Sequence, residues 1–304
     1  MHEVGHVPVP PGLPHLHVLY RTHPRGNGKA RPDFYDPVTA WASMLAALEQ
    51  VPGATVTVVA DGGLPPALDE AVGPEHRRVL VRGGRASSSL RRALAVAAAL
   101  ARQEDGHTLF WFSEDDYLYR PEAMRSLCEA AAALPAADYL TLYTPDDSAW
   151  HAEHRSQPDQ PVPPLPGGPV RVGGGLWQRA AKTTSTFGVR SAALRADRWL
   201  LDLGSRVGAP FDMATWHALQ GLRPFPWRHL LADLEPAPGV RGLGKVAAKP
   251  LMRGALDLAT AAARRHRVLV APTRPLAAHM EVGYLPGSYD WAALARRTRA
   301  RTAA

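Results

Sequence analysis

The chain has 304 residues, 46% hydrophobic and 21% charged, with a net charge of +7 and a pI near 9.8. These values exclude a disordered chain and leave room for one large domain or two modest ones. A single cysteine, Cys128, excludes an internal disulfide, and no CxxC metal knuckle is present. The positive balance favours anionic partners in general terms. Much of it is arginine in runs such as "ARRTRARTAA", set in a sequence rich in alanine, proline and glycine, so charge alone names no partner class.

The opening "MHEVGHVPVPPGLPHLH" has neither the basic start nor the continuous apolar stretch of a signal peptide. No window approaches the ~18 uninterrupted apolar residues of a membrane span. The expectation is a cytoplasmic protein, with peripheral membrane contact open to the basic C-terminal tail.

In the first half, strands alternate with helices. "HLHVLYR" predicts a strand and "FYDPVTAWASMLAALEQ" a helix. "ATVTVVADGG" predicts a second strand, closed by Asp61 and two glycines, and "RRVLV" a short third. "GGRASSSLRRALAVAAALARQE" reads as a glycine turn, serine caps and a long alanine-rich helix. "HTLFWF" predicts the fourth strand, "PEAMRSLCEAAAAL" a helix led by Pro121, with Cys128 as a small buried residue within it, and "ADYLTLY" a fifth strand. Such alternation implies an α/β fold with a mostly parallel sheet covered by helices on both faces.

The second half is less regular. Residues 145–175 read as a long polar loop, and "TTSTFGVRSAALRADRWLLDL" as a strand and a helix. "APFDMATWHALQG" reads as a second helix with Asp212 near its start, and residues 224–254 as a proline- and glycine-rich segment. Residues 14–145 are expected to form a nucleotide-sugar-binding half. Residues 146–304 would form an acceptor-binding half with the basic tail, within one continuous domain.

Ligands of such sheets bind beyond the carboxyl ends of the strands. Arg21 and Thr22, Asp61, and the run Glu114-Asp115-Asp116 all fall there. The run follows the apolar "TLFWF", where three adjacent acids repel one another. Either they are a solvated turn ahead of a helix, or something positive sits among them. A hard divalent cation, Mg2+ or Mn2+, suits one or two carboxylates together with substrate phosphates. Asp61 reads either as an Asp-Gly turn or as a hydrogen-bond acceptor for a ligand; Arg21 reads either as a surface ion pair or as a partner for phosphate or a base. Lys29 and Arg31, in the following glycine-bearing turn, are placed to fold over a diphosphate. Arg91 lies near a helix start that suits an anion, although the serines before it also serve as plain caps.

The strand, "SEDD", "YLY", "RPEAM" order resembles the DXD region of GT-A-fold glycosyltransferases of the family-two kind. The resemblance covers most of the first half by order of elements, but the opening strand "VLYRTHPRGNGKARPDFY" departs from the family's usual one. It implies a GT-A-like fold and a metal-dependent enzyme that moves a sugar from a nucleoside diphosphate sugar to an acceptor hydroxyl; inversion of the anomeric centre is the expectation, and retention stays open because retaining enzymes share the same metal site. It also implies Asp116 as metal ligand, with Glu114 and Asp115 supporting it or contacting ribose and sugar, and Asp61 contacting the nucleobase. Several such families bring a late histidine back to the metal or diphosphate, which points to His279 as a third protein ligand; the plain alternative is a loop histidine. An acid near a helix start in the acceptor half serves them as general base, which points to Asp212, with Phe211 and Trp216 as a sugar platform; the plain alternative is a first-turn helix acid. Asp146, Asp147, Asp197 and Asp202 are weaker candidates for the base. His151 and His154 have zinc-like spacing without further ligands, and "GLGK" lacks the context of a phosphate loop.

Two other readings stay open: a sugar-phosphate nucleotidyltransferase, echoed in the basic turn "RTHPRGNGKARP", and a non-catalytic nucleotide- or carbohydrate-binding module. Nucleic acid is not an expected partner, since the charge is dispersed and no basic stripe interleaves with aromatics.

Overall fold

A computed structural model of the chain describes residues 5–8, 10–23, 29–84, 86–103, 107–144, 162–206, 211–225 and 243–302. The predicted strand-helix alternation is present as β2 (Leu16–Thr22), α1 (Pro37–Leu48), β3 (Thr55–Asp61), α2 (Pro66–Ala71), β4 (Arg77–Val81), α3 (Ala86–Leu100) and β5 (Leu109–Glu114), preceded by a short β1 (Gly5–Val7). After β5 come β6 (Tyr117–Tyr119), α4 (Ala123–Ala133) and β7 (Tyr139–Leu140). The remainder comprises β8 (Val170–Val172), β9 (Gly175–Arg179), β10 (Phe187–Arg190), α5 (Ser191–Gly204), α6 (Phe211–Leu219), α7 (Leu243–Ala263), β11 (Leu269–Pro272), β12 (Ala277–His279) and α8 (Trp291–Thr302).

Ten strands form one sheet in the order β1-β8-β9-β11-β7-β10-β5-β2-β3-β4. Their pairings make eight run one way, with β9 and β10 against them. The parallel core β4-β3-β2-β5 explains the sequence pattern. Its central strands are covered on both faces, so they read as continuous apolar runs rather than alternating ones. Along β2, Leu16, Val18 and Tyr20 join the cluster under α1 and α4, while Leu19 joins the cluster under α3, α5 and α6. On β5, Leu109 and Trp111 take the first face, Phe110 and Phe112 the second.

Local signals set the helix ends. Asp36 caps α1, accepting from Val38 N at 3.3 Å and Thr39 N at 2.9 Å, and Pro37 stands at the first helical position, where its missing N–H costs nothing. Three expectations need correction. The helix after the acids begins at Ala123, two residues past Pro121. The loop assigned to residues 145–175 contains β8, which pairs with β9 through a glycine turn. The proline- and glycine-rich segment at 224–254 ends in the helix α7, which carries Pro250 in its interior. The buried contacts of Arg253, Leu256 and Thr260 along this helix outweigh the hydrogen bond that Pro250 removes.

A small second layer brings the end of the chain to the sheet's active edge. β12 pairs antiparallel with β6, setting His279 opposite Tyr117. Leu118, Ala278, Met280, Trp291, Leu294 and Ala295 pack over Ala40 of α1 as their own apolar cluster. In the basic tail, now α8, Arg299 donates to Thr39 Oγ1 at 2.9 Å and to Phe34 O at 2.8 Å, and Arg301 pairs with Glu49 at 2.7 Å. None of the described helices is long and apolar enough to cross a membrane.

Candidate functional site

The carboxyl ends of β2, β3 and β5 lie side by side because these strands are parallel neighbours, with Arg21 opposite Glu114 and Val59 in register. Residues two apart share a sheet face, so Arg21, Glu114 and Asp61 all stand on the α3 side. Arg21 Nη2 meets Glu114 Oε1 at 2.5 Å. Only 3% exposed, Arg21 is no surface ion pair, and its Nε and Nη1 are buried without a hydrogen-bond partner among the described residues. Asp61 is equally buried. Its Oδ1 accepts from Gly83 N at 2.7 Å and Gly84 N at 2.9 Å, while Oδ2 has no hydrogen-bond partner among the described residues. The turn after β4 can approach this closely only as glycine: a Cβ on Gly83 would stand 2.2 Å from Ser88 Cβ, and Gly84 has a φ of +61°. Buried polar atoms are normally satisfied, so a donor pair on Arg21 and an acceptor on Asp61 left open at strand ends mark a ligand-facing edge.

The acid run itself splits three ways. Glu114 goes to Arg21. Asp115 turns to the other side, where its Oδ2 accepts from Thr22 Oγ1 at 2.5 Å and His23 N at 3.2 Å. Burial first, then the neighbouring Asp116 charge, push its carboxyl up to about 7 against the pull of those two donors. Asp116 Oδ2 receives both Arg31 Nη2, at 2.8 Å, and His279 Nε2, at 3.0 Å. Burial opposes its charge, but the His279 imidazole and the Arg31 guanidinium prevail and hold this carboxyl well below the usual range. The positive charge that the sequence demanded is therefore partly the chain's own.

Around this pair the site is aromatic and ionic. Tyr117 stacks on His279, with ring centroids 5.0 Å apart and planes 7° from parallel, and its hydroxyl meets Thr184 Oγ1 at 2.7 Å. Glu281 Oε2 lies 3.5 Å from His279 Nε2 and 2.5 Å from Lys29 Nζ. Arg31 is held by Asp116, by the Met280 carbonyl at 2.7 Å and by the Tyr35 ring, whose centroid is 4.7 Å away, among other contacts.

The structure thus brings together Arg21, Thr22, Asp61, Glu114, Asp115, Asp116 and His279. It keeps Arg91 apart: that side chain sits half-buried in the second turn of α3, and among the described residues no ion pair joins it to the acids. The backbone of Asp212 is in the first turn of α6; its side chain lies outside the described residues, as does that of Phe211. Trp216 is not a sugar platform. It is 2% exposed and packs edge-on to Phe187 at 5.0 Å and Tyr139 at 5.3 Å, in the core. Of the weaker base candidates, Asp197 is fully buried and committed to Arg267 and Arg265, and Asp202 to Arg206. Asp146, Asp147, His151 and His154 lie outside the described residues. Glu281 is the ionisable side chain that the sequence reading missed. The "AHMEV" spacing was its signal, placing an acid two residues beyond the histidine.

The expected α/β architecture, a mostly parallel sheet flanked by helices, is the one observed. Within it the antiparallel β10 lies between β5 and β7, and the acid run leaves the end of β5. Similar solved structures include glucosyl-3-phosphoglycerate synthase from Mycobacterium tuberculosis in complex with Mn2+, UDP and phosphoglyceric acid (12% identity over 82% of this chain and 78% of that one, TM-score 0.35). Others are CMP:2-keto-3-deoxy-manno-octonic acid synthetase with CTP (17%, 61% and 78%, TM-score 0.37) and 4-diphosphocytidyl-2C-methyl-D-erythritol synthase (13%, 69% and 87%, TM-score 0.38). At these values the likeness carries no activity to this chain. No protein-family model matches the chain, and no curated protein shows significant sequence similarity to it.

The donor set suits a hard divalent cation. Asp116 Oδ2 and His279 Nε2, 3.0 Å apart through a hydrogen bond, are the two side-chain donors that would hold it. Among the described residues no group of three such side chains makes a complete protein cage. Water and phosphate oxygens would fill the remaining positions, as Mg2+ prefers.

Proposed function

We propose that this protein is a metal-dependent glycosyltransferase that moves a sugar from a nucleoside diphosphate sugar to an acceptor hydroxyl, with inversion. The observation that carries the reading is the meeting of Asp116 and His279, 163 residues apart in the chain, at the carboxyl end of β5. Asp61 Oδ2 accepts a hydrogen bond from an N–H of the nucleobase, and Arg21, held by Glu114, offers its open donors to the same nucleotide. Thr22 and Asp115 shape the ribose side. Asp116 and His279 would hold Mn2+ or Mg2+, whose charge would offset that of the departing diphosphate.

In the transfer, the bond between the anomeric carbon and the diphosphate oxygen breaks, and its electron pair leaves with the nucleoside diphosphate. The acceptor oxygen forms the new bond from the opposite face, and its proton passes to the Asp212 carboxylate. Support for Asp212 is its position at the head of α6 in the second half of the chain.

The test is turnover of a nucleoside diphosphate sugar panel with Mn2+ or Mg2+. Asp116→Ala is expected to abolish turnover. Asp212→Asn is expected to cut turnover while leaving donor affinity nearly unchanged, the mark of a group needed only in the transition state. One observation favours a second reading: Lys29 and Arg31 put a basic pair after the first core strand, at the site, as a nucleotidyltransferase would need. Release of pyrophosphate from a nucleoside triphosphate and a sugar phosphate would select it.

A further inference from the structure

Asp116 is the acid that the proposed reading gives to the metal, yet the chain already supplies that carboxylate with a cation. Arg31 Nη2 lies 2.8 Å from Asp116 Oδ2, the oxygen that also faces His279 Nε2 at 3.0 Å. The contact is built, not incidental: both side chains are largely buried (15% and 5% exposed), and the guanidinium is anchored on Met280 O and against Tyr35. Two residues away, Lys29 holds Glu281 at 2.5 Å in the same manner, and Glu281 is the other carboxylate beside His279. Both acids next to the imidazole are thus charge-compensated from one short segment of chain, residues 29–31.

A divalent ion approaching His279 and Asp116 Oδ2 meets a guanidinium already hydrogen-bonded to that oxygen, and the like charges of ion and guanidinium repel. Desolvation makes the exchange harder, because freeing Arg31 into a buried site leaves an unpaired charge. An anion that accepts Arg31 removes both obstacles, and a diphosphate has the oxygens to take a guanidinium fork and an ammonium together.

We infer that Arg31 and Lys29 are exchangeable internal cations. Paired here with Asp116 and Glu281, they move to the donor's diphosphate when it binds, so that metal and nucleotide each strengthen the other's binding. This inference rests on the sugar-transfer reading of the site and adds to it the coupling and the two residues that carry it. Coupling of this kind is reciprocal and typically amounts to 5- to 150-fold.

The experiment measures Mn2+ binding to the intact protein by electron paramagnetic resonance, without nucleotide and with UDP, GDP, dTDP or CDP, subtracting the free Mn2+–nucleotide complex. The unmodified protein is expected to bind Mn2+ at least tenfold more tightly with its nucleotide than without. In Arg31→Gln, Mn2+ should bind about tenfold more tightly than in the unmodified protein when nucleotide is absent, and the nucleotide effect should shrink to within about threefold. Arg31→Lys, which keeps a cation at the position, should retain most of the coupling. An Arg31→Gln protein with the Mn2+ affinity and the nucleotide effect of the unmodified one would overturn the inference while leaving the sugar-transfer reading standing. Absence of both Mn2+ and nucleotide binding in the unmodified protein would remove the reading itself. Should Arg31→Gln not fold, Lys29→Gln, at a side chain 42% exposed, gives the same comparison, and an unchanged nucleotide effect there would likewise overturn the inference.

Discussion

Arg21 and Glu114 stand opposite each other on adjacent parallel strands, 93 residues apart in the chain, and join at 2.5 Å where β2 and β5 end. The pair settles a buried guanidinium at the mouth of the candidate site and leaves two of its nitrogens open. Removing the carboxylate would strand that charge. Glu114→Ala is expected to destabilise the protein by about 2–4 kcal/mol, discounted from a fully buried pair because Glu114 is 27% exposed, as read from urea unfolding. A change below about 0.5 kcal/mol would mean that water already satisfies Arg21.

Asp61 gives a prediction about recognition. Asp61→Asn keeps an oxygen to accept from Gly83 and Gly84 but replaces the open carboxylate oxygen or its charge. Nucleotide affinity is therefore expected to fall about tenfold or more while stability changes by about 1 kcal/mol. Calorimetric titration with the preferred nucleoside diphosphate checks it. Unchanged affinity would reduce Asp61 to a turn residue.

Much of this was legible beforehand, for a physical reason. Strands buried on both faces are continuous apolar runs, so "HLHVLYR", "ATVTVVA" and "HTLFWF" declared themselves, and polar residues ending such runs had to lie at a sheet edge. The partner of Asp116 was not legible. Arg31 lies 85 residues before it, and only the packing of residues 29–36 against the β6–β12 pair brings the two together. Trp216 misled because an aromatic beside a helix acid looks the same in sequence whether it faces a ligand or, as here, Phe187 and Tyr139. α7 was hidden by Gly254 and Pro250, whose penalties tertiary packing overrides.

Away from the site, Asp197 holds the second half together. It is wholly buried, takes Arg267 Nε at 2.6 Å and Arg265 Nε at 3.1 Å, and accepts from Tyr139 Oη at 3.0 Å. Asp197→Ala leaves Arg265 and Arg267, 32% and 22% exposed, without their shared carboxylate, although Arg267 keeps Asp138, and is expected to cost about 2–4 kcal/mol. Thermal unfolding measures this, and nucleotide affinity of the folded fraction should not change.

His17 sets an acid limb. Its ring sits between Thr57 Oγ1 at 3.0 Å and Thr55 Oγ1 at 2.7 Å, and burial, followed by the charges of His15 and Arg77, lowers its pKa to about 4 from 6.5. A depressed histidine is neutral in both states above pH 6.5, so its contribution is intact there. As pH falls towards 4, the unfolded chain takes up a proton that the folded one refuses, and stability drops by about 2–3 kcal/mol by pH 4.5. His17→Gln is expected to remove that part of the slope between pH 7 and 4.5, as seen in urea titrations at each pH. An unchanged slope would exonerate His17.

The reading of the site as a cation held against a diphosphate meets its sharpest trial in a thermal melt of the protein with UDP, GDP, dTDP and CDP, each with and without Mn2+. A ligand at a hundredfold excess over its Kd stabilises the native state by about 2.7 kcal/mol, a shift of several degrees for a chain of this size. At least one nucleotide should raise Tm by that amount with Mn2+ and by much less without it, and Asp116→Asn should erase the difference. Identical melting curves across all four nucleotides, with and without the ion, would contradict it.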